Sequence, residues 1–105
     1  MLNETFAALS DPTRRAILGL LSDQDLSVGE LVYHFDIAQS GITRHLNVLE
    51  NAELIERERA GQRRICRLKP KALEPVDEWI EPYRHHWGDA LKRLEKTVTK
   101  KKRAK

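Results

Sequence analysis

A mainly α fold with one small β-hairpin is predicted for this chain by three observations. Apolar residues recur at three- and four-residue steps along most of its 105 positions. Helix-start chemistry occurs at two separate places, "SDPTRR" and "SVGE". Between "LIERER" and "RRICRL" the helical period fails, and a turn containing Gly61 joins the two runs. The length suits one domain with a single modest core, expected over residues 1–98, with 99–105 as a basic, disordered tail.

Asp11-Pro12 opens the first well-marked helix. An Asp cap accepts otherwise orphaned amide bonds, and Pro at the first helical position gives up nothing. Ala16, Ile17, Leu20 and Leu21 then recur at helical spacing, giving a helix over about residues 12 to 22. A shorter helix before it carries Leu2, Phe6 and Leu9. "SDQDLSVGE" is a polar break in which Ser27 and Glu30 match a capping box, each satisfying the other's backbone amide. The helix that follows presents Leu31, Val32 and Phe35, and "FDIAQ" leaves room only for a tight turn into the next one. Two helices joined this closely are a helix-turn-helix candidate.

That next helix has two distinct sides. At 100° per residue Ile42, Leu46 and Leu49 point one way, while Ser40, Thr43, Arg44, Asn47 and Asn51 gather opposite, with Gln39 at the start. The polar ridge holds one charge, Arg44, among short amides and hydroxyls. A merely solvated face more often carries Lys and Glu. Reading base edges needs this set, because Arg forks onto guanine and Asn or Gln onto adenine. "RRICRL" alternates polar and apolar residues, so the hairpin places Gln62, Arg63 and Arg64 at its tip. Such a hairpin beside a helix-turn-helix is a wing, whose arginines would follow phosphates or enter a minor groove.

From Leu73 to Val98 the residues Val76, Ile80, Tyr83, Trp87, Leu91 and Leu94 form one long apolar stripe. Pro82 should kink or split this helix near Glu81, since an interior Pro costs about 3 kcal/mol. Two helical pieces sharing one apolar side are expected. The earlier helices cannot cover so much surface, and a second copy of the chain is the natural cover.

Charge is unevenly spread. The formal net charge is +3, but six basic residues and no acid fall within 96–105, which leaves the rest net negative. Residues 57–71 stand out, with Arg57, Arg59, Arg63, Arg64, Arg67, Lys69 and Lys71 against the single acid Glu58. No apolar run is long enough to cross a bilayer, and the first residues have neither a basic nor an apolar leader region. A cytoplasmic location and no membrane partner are expected. A lone cysteine, Cys66, excludes an intramolecular disulfide and any multi-cysteine metal site within the chain.

"FAALSDPTRRAILGLL" and "SVGELVYHFDIAQSGITRHLNVLENAELIERERAGQRRICRL", with the spacing between them, resemble the ArsR/SmtB family of bacterial winged-helix transcription regulators over about residues 4–69. "WIEPYRHHW" is similar to a metal-free branch of it. The resemblance implies a winged helix-turn-helix homodimer acting on double-stranded DNA, most simply as a repressor on an inverted-repeat operator. It implies an interface of first and last helices using Phe6, Leu9, Trp79, Tyr83, Trp87, Leu91 and Leu94. Gln39, Ser40, Thr43 and Arg44 match family DNA contacts, and Asn47, Arg57, Arg59, Gln62, Arg63 and Arg64 extend that surface. Two positions depart from the pattern: Ala38 where a capping Ser is usual, and Gly41 where Ala is common. Gly41 suggests a looser helix start, and Ser40 is an alternative cap that would withdraw it from base contact.

The metal ligands of related sensors are missing from "ELVYHF", and Asp77, His85, His86 and Asp89 match only half of the C-terminal pattern. No metal, no cofactor and no enzymatic activity are expected, since neither a phosphate loop nor a nucleophile with a paired base occurs. His45 reads as a packed or hydrogen-bonded structural residue and His34 as an exposed helix end. The rival readings are a winged-helix protein-interaction module and a metal-responsive repressor of the same family. The effector is unknown, and an effector pocket lined by the apolar stripe is an alternative to the dimer seam.

Overall fold

The computed structural model describes residues 2–103, with side chains through Leu94. Its elements are α1 (Leu2–Leu9), α2 (Pro12–Asp23), β1 (Leu26–Ser27), α3 (Val28–His34), α4 (Gln39–Asn51), β2 (Ile55–Ala60), β3 (Arg63–Leu68), a 3-10 turn (Pro70–Leu73) and α5 (Glu74–Arg103). Two compact units result, divided between Pro75 and Val76.

In the first unit both helix starts work as their residues require. The Asp11 side chain accepts from the Thr13 amide at 2.9 Å, with Pro12 at the first helical position. Ser27 and Glu30 close the capping box in both directions, at 3.1 and 3.0 Å. Ile17, Leu18 and Leu21 are the buried residues of α2. Leu18 therefore belongs to the inner face, and Ala16 is exposed. Leu31, Ile42, Leu46, Leu49 and Leu54 are fully buried, joined by Ile55 and Cys66 from the sheet. Each such aliphatic side chain contributes about 1.5–3 kcal/mol relative to exposure, so the apolar face of α4 is fixed firmly and its polar face is fixed with it.

The sheet has a third strand that the sequence conceals. The order is β1-β3-β2, with Leu26 opposite Cys66 and Ser27 opposite Ile65. Two residues are too short to show alternation, and they lie inside the polar break before α3. Gly61 adopts φ +66°, the sign a type II′ hairpin turn requires at its first position. The chain leaves α4 through a second positive-φ residue, Glu53 (φ 62°). There the Leu54 amide bonds the Leu49 carbonyl at 3.0 Å and the Glu53 amide bonds the Glu50 carbonyl at 2.9 Å. This is the paired pattern of a Schellman ending, with Leu49 and Leu54 buried as its apolar contact.

The second unit is α5 from Val76 on. Pro82 neither splits nor ends it, contrary to the expectation of two pieces, because α5 is one element from Glu74 to Arg103 with Pro82 inside. Proline's fixed φ is itself helical, so the loss is one backbone hydrogen bond and not the element. Arg84 also spans that turn, pairing with Glu81 at 2.7 Å and with Asp77. Trp79, Tyr83, Trp87, Leu91 and Leu94 are all exposed large apolar residues, with the Trp79 and Tyr83 rings 5.3 Å apart. Val98 and the expected tail 99–105 lie outside the residues whose side chains are described. No helix among the described residues is long and apolar enough to cross a membrane.

Candidate nucleic-acid interface

The polar ridge of α4 forms an open surface. Gln39, Ser40, Thr43, Arg44 and Asn47 line one shallow depression along the helix, with a volume of about 510 Å³. Ser40 lies inside the helix, since Ala38 occupies the cap position and supplies no side-chain bond. The alternative in which Ser40 is withdrawn as a cap is thereby settled. Gly41 has a packing reason: a Cβ there would lie 2.6 Å from Cγ2 of Ile37 in the preceding turn. The glycine lets that turn close against the helix start.

A groove of about 480 Å³ runs from this ridge to the hairpin, lined by Ser27, Val28, Gly29, Gln39, Thr43, Arg57, Gln62, Arg63 and Arg64. The strand register explains which arginines join α4. Arg57 lies opposite Cys66 and Arg59 opposite Arg64, on the face whose inner end is Ile55 and Leu68. The buried end of that face packs in the core, and its outer end carries two cations side by side. Like charges directly opposite are unfavourable in a strand pair, so an external anion would relieve them.

The seven basic residues of 57–71 do not behave alike. Arg57 is nearly buried, with its side chain 8% exposed. It forks onto Glu50, Nη2 to Oε1 at 2.8 Å and Nε to Oε2 at 3.3 Å, and Nη2 also donates to Asn47 Oδ1 at 2.6 Å. These bonds tie the wing to α4 through a residue expected as a DNA contact. Arg63 pairs with Glu30 at 2.8 Å, both well exposed, and Arg67 binds Asp25, Glu56 and Glu58 at 3.0 to 3.4 Å. Among the described residues Arg44, Arg59 and Arg64 have no such acidic partner.

The electrostatics follow those contacts. Hydrogen bonding by Arg57 holds the Glu50 carboxyl below its ordinary range despite partial burial. The Ser27 amide, then its hydroxyl, lower Glu30 in the same way. Burial pushes the Cys66 thiol up, which keeps it protonated and fits its place as a core residue. His45 meets Arg14 Nη1 through Nδ1 at 3.2 Å, while Arg14 Nε donates to the Ala8 carbonyl at 2.6 Å. That bridge holds α1, α2 and α4 together and gives His45 its structural job. His34 ends α3 exposed. No three His, Cys, Asp or Glu side chains among the described residues are grouped to hold a metal, and Asp77 is engaged by Arg84.

Glu50 and Arg14 are the working residues that sequence reasoning missed. Neither has a local signature, because each acts on a different element. Glu50 is seven residues from Arg57 but across a helix end and a turn.

A family model for bacterial regulatory proteins of the arsR family matches residues 11–57. The chain is 40% identical over 79 residues to the transcriptional repressor SdpR of Bacillus subtilis, covering 75% of this chain and 88% of that protein. This chain belongs to the ArsR family. An HTH-type transcriptional regulator of Mycobacterium tuberculosis is 38% identical to this ArsR-family chain over 89 residues, covering 85% of it and 80% of the relative. The crystal structure of an ArsR family transcriptional regulator superposes with a TM-score of 0.74 at 36% identity, covering 83% of this chain and 90% of that one. The winged helix-turn-helix assignment stands, and the chain is a DNA-binding transcriptional regulator.

Proposed function

We propose that this ArsR-family chain is a homodimeric repressor that reads an inverted-repeat operator with α4 and grips flanking phosphates with the hairpin. One observation carries the reading. Gln39, Ser40, Thr43, Arg44 and Asn47 share a single open surface, and Arg64, which is in no salt bridge among the described residues, lines the groove joining it to the wing. Base-edge donors and acceptors lie in the centre and cations at the side, the division that groove recognition requires. Arg59 and Arg64 then serve phosphate, with Gln62 and Arg63 beside them at the tip.

Dimerisation is supported by α5. Five large apolar side chains from Trp79 to Leu94 are between 48% and 64% exposed, more than an isolated soluble helix keeps in water without cover. A second copy covers them with the same stripe, and Phe6 (38% exposed) and Leu9 join from α1. Two-fold symmetry places two α4 helices in successive major grooves, with half-sites about one helical turn apart or a small multiple of it. Repression follows from occupying promoter DNA against polymerase in the cytoplasm, with no chemistry and no metal.

The test is selection from a random duplex pool by the purified protein at near-physiological salt. An enriched inverted repeat is expected. A pool that stays random, with binding that vanishes as salt rises, would leave only phosphate attraction and refute the reading.

A further inference from the structure

We propose that Arg57 makes Asn47 a donor-only reader, so that α4 favours guanine or thymine over adenine at the base Asn47 faces. The inference rests on the DNA-reading function proposed above and specifies one position of it. The ordinary expectation for a recognition-helix Asn is adenine, because one carboxamide arm accepts from the adenine N6 amino group while the other donates to N7. That match requires both arms to face one base edge.

In this chain one arm is already committed. The atom of Asn47 that lies 2.6 Å from Arg57 Nη2 must be the oxygen, since a guanidinium has five donors and no acceptor. The assignment of O and N, ambiguous for most amides, is fixed here by the chemistry of the partner. Arg57 cannot swing aside without cost, because its side chain is 8% exposed and forks onto Glu50 at 2.8 and 3.3 Å. The charge-assisted bonds hold the guanidinium, and the guanidinium holds the amide.

The carboxamide is planar, with oxygen and nitrogen on opposite arms. Turning the oxygen onto the hairpin leaves the NH2 arm for the depression that Asn47 lines with Thr43 and Arg44. Two N–H donors are both used by guanine (O6 and N7) and one by thymine (O4), whereas adenine offers the single acceptor N7 beside the opposing N6 donor and cytosine offers only a donor at N4. Arg57 is thus a positioning residue that sets specificity without touching DNA.

The experiment is parallel duplex selection with the wild-type full chain, Asn47→Ala, Asn47→Asp and Arg57→Met, each checked by circular dichroism for an unchanged fold. Asn47 is exposed, so its variants keep the proposal testable even where Arg57→Met fails to fold. Wild type is expected to enrich guanine or thymine at one symmetric pair of positions that Asn47→Ala makes indifferent. Asn47→Asp, which offers only acceptors, should move that position toward cytosine or adenine. Arg57→Met should raise adenine there by about fivefold or more relative to wild type, the low end of a good base contact. Adenine at the Asn47-dependent position in wild type overturns the inference and leaves the DNA-reading function intact. So does an Asn47→Ala motif identical to wild type at every position. A wild-type pool with no motif overturns both, which separates the two failures.

Discussion

Gly41→Ala tests whether the glycine at the start of α4 is slack or fitted. Alanine should stabilise a helical position by up to about 1 kcal/mol. Against that, the added Cβ would lie 2.6 Å from Ile37 Cγ2, well inside the ~3.5–4.0 Å of a carbon contact. Cγ2 sits on the branch carbon of Ile37, so relief requires a new χ1 rotamer or movement of the turn. Overpacking of this kind costs about 1–3 kcal/mol, which leaves Gly41→Ala neutral to about 2 kcal/mol destabilising. In an Ile37→Ala background the obstruction is gone, and Gly41→Ala should stabilise by up to about 1 kcal/mol. The sign reversal is the signature, and the coupling between the two sites should be about 1–3 kcal/mol. Urea unfolding followed by far-ultraviolet circular dichroism measures it, at one fixed protein concentration because association adds to apparent stability. Equal stabilisation by Gly41→Ala in both backgrounds would refute the contact and make Gly41 a merely tolerated residue.

Four further outcomes are expected. Arg44→Ala should cost about 1–3 kcal/mol in operator affinity and relax sequence preference, whereas Arg64→Ala should weaken all duplexes alike and lower the salt slope by about 1; Arg63→Ala, whose side chain already pairs with Glu30, should do less than Arg64→Ala in the same anisotropy titrations. Leu91→Glu in the exposed stripe of α5 should shift sedimentation equilibrium to monomer, and a wild-type protein that sediments as a monomer would sink the dimer. The folded Glu50 carboxyl lies below its ordinary value of 4.5, so its contribution is full above that pH and is lost as pH falls through the lowered value. Glu50→Gln should therefore flatten part of the acid limb of stability, and unchanged limbs would count against the Arg57 tie. Glu53→Gly, at φ 62°, should stabilise by about 1 kcal/mol in thermal unfolding, since a left-handed backbone costs a non-glycine residue about that much.

Much of the fold is local and was therefore readable. Helix starts at Asp11 and Ser27 depend on side chains reaching amides two or three residues away, and the faces of α4 follow from its own period. The hairpin shows because alternation and a glycine turn are also local. The polar ridge of Gln39, Ser40, Thr43, Arg44 and Asn47 was visible for the same reason: it is the complement of Ile42, Leu46 and Leu49 on one helix.

What the chain order hides is pairing between distant elements. β1 exists only because Leu26 and Ser27 meet Cys66 and Ile65, a partnership across some forty positions that two residues cannot announce. Composition alone made the arginines of the wing look equivalent. Strand register then turned Arg57 inward to Glu50 and Asn47, Arg67 outward to three acids, and left Arg59 beside Arg64. The charge of a side chain is a property of the sequence, but whether that charge is spent inside the molecule or offered to a partner depends on which groups the fold brings within hydrogen-bond reach. Pro82 shows the converse: its local cost was legible, yet only the whole helix reveals that one lost bond is outweighed by the turns on either side.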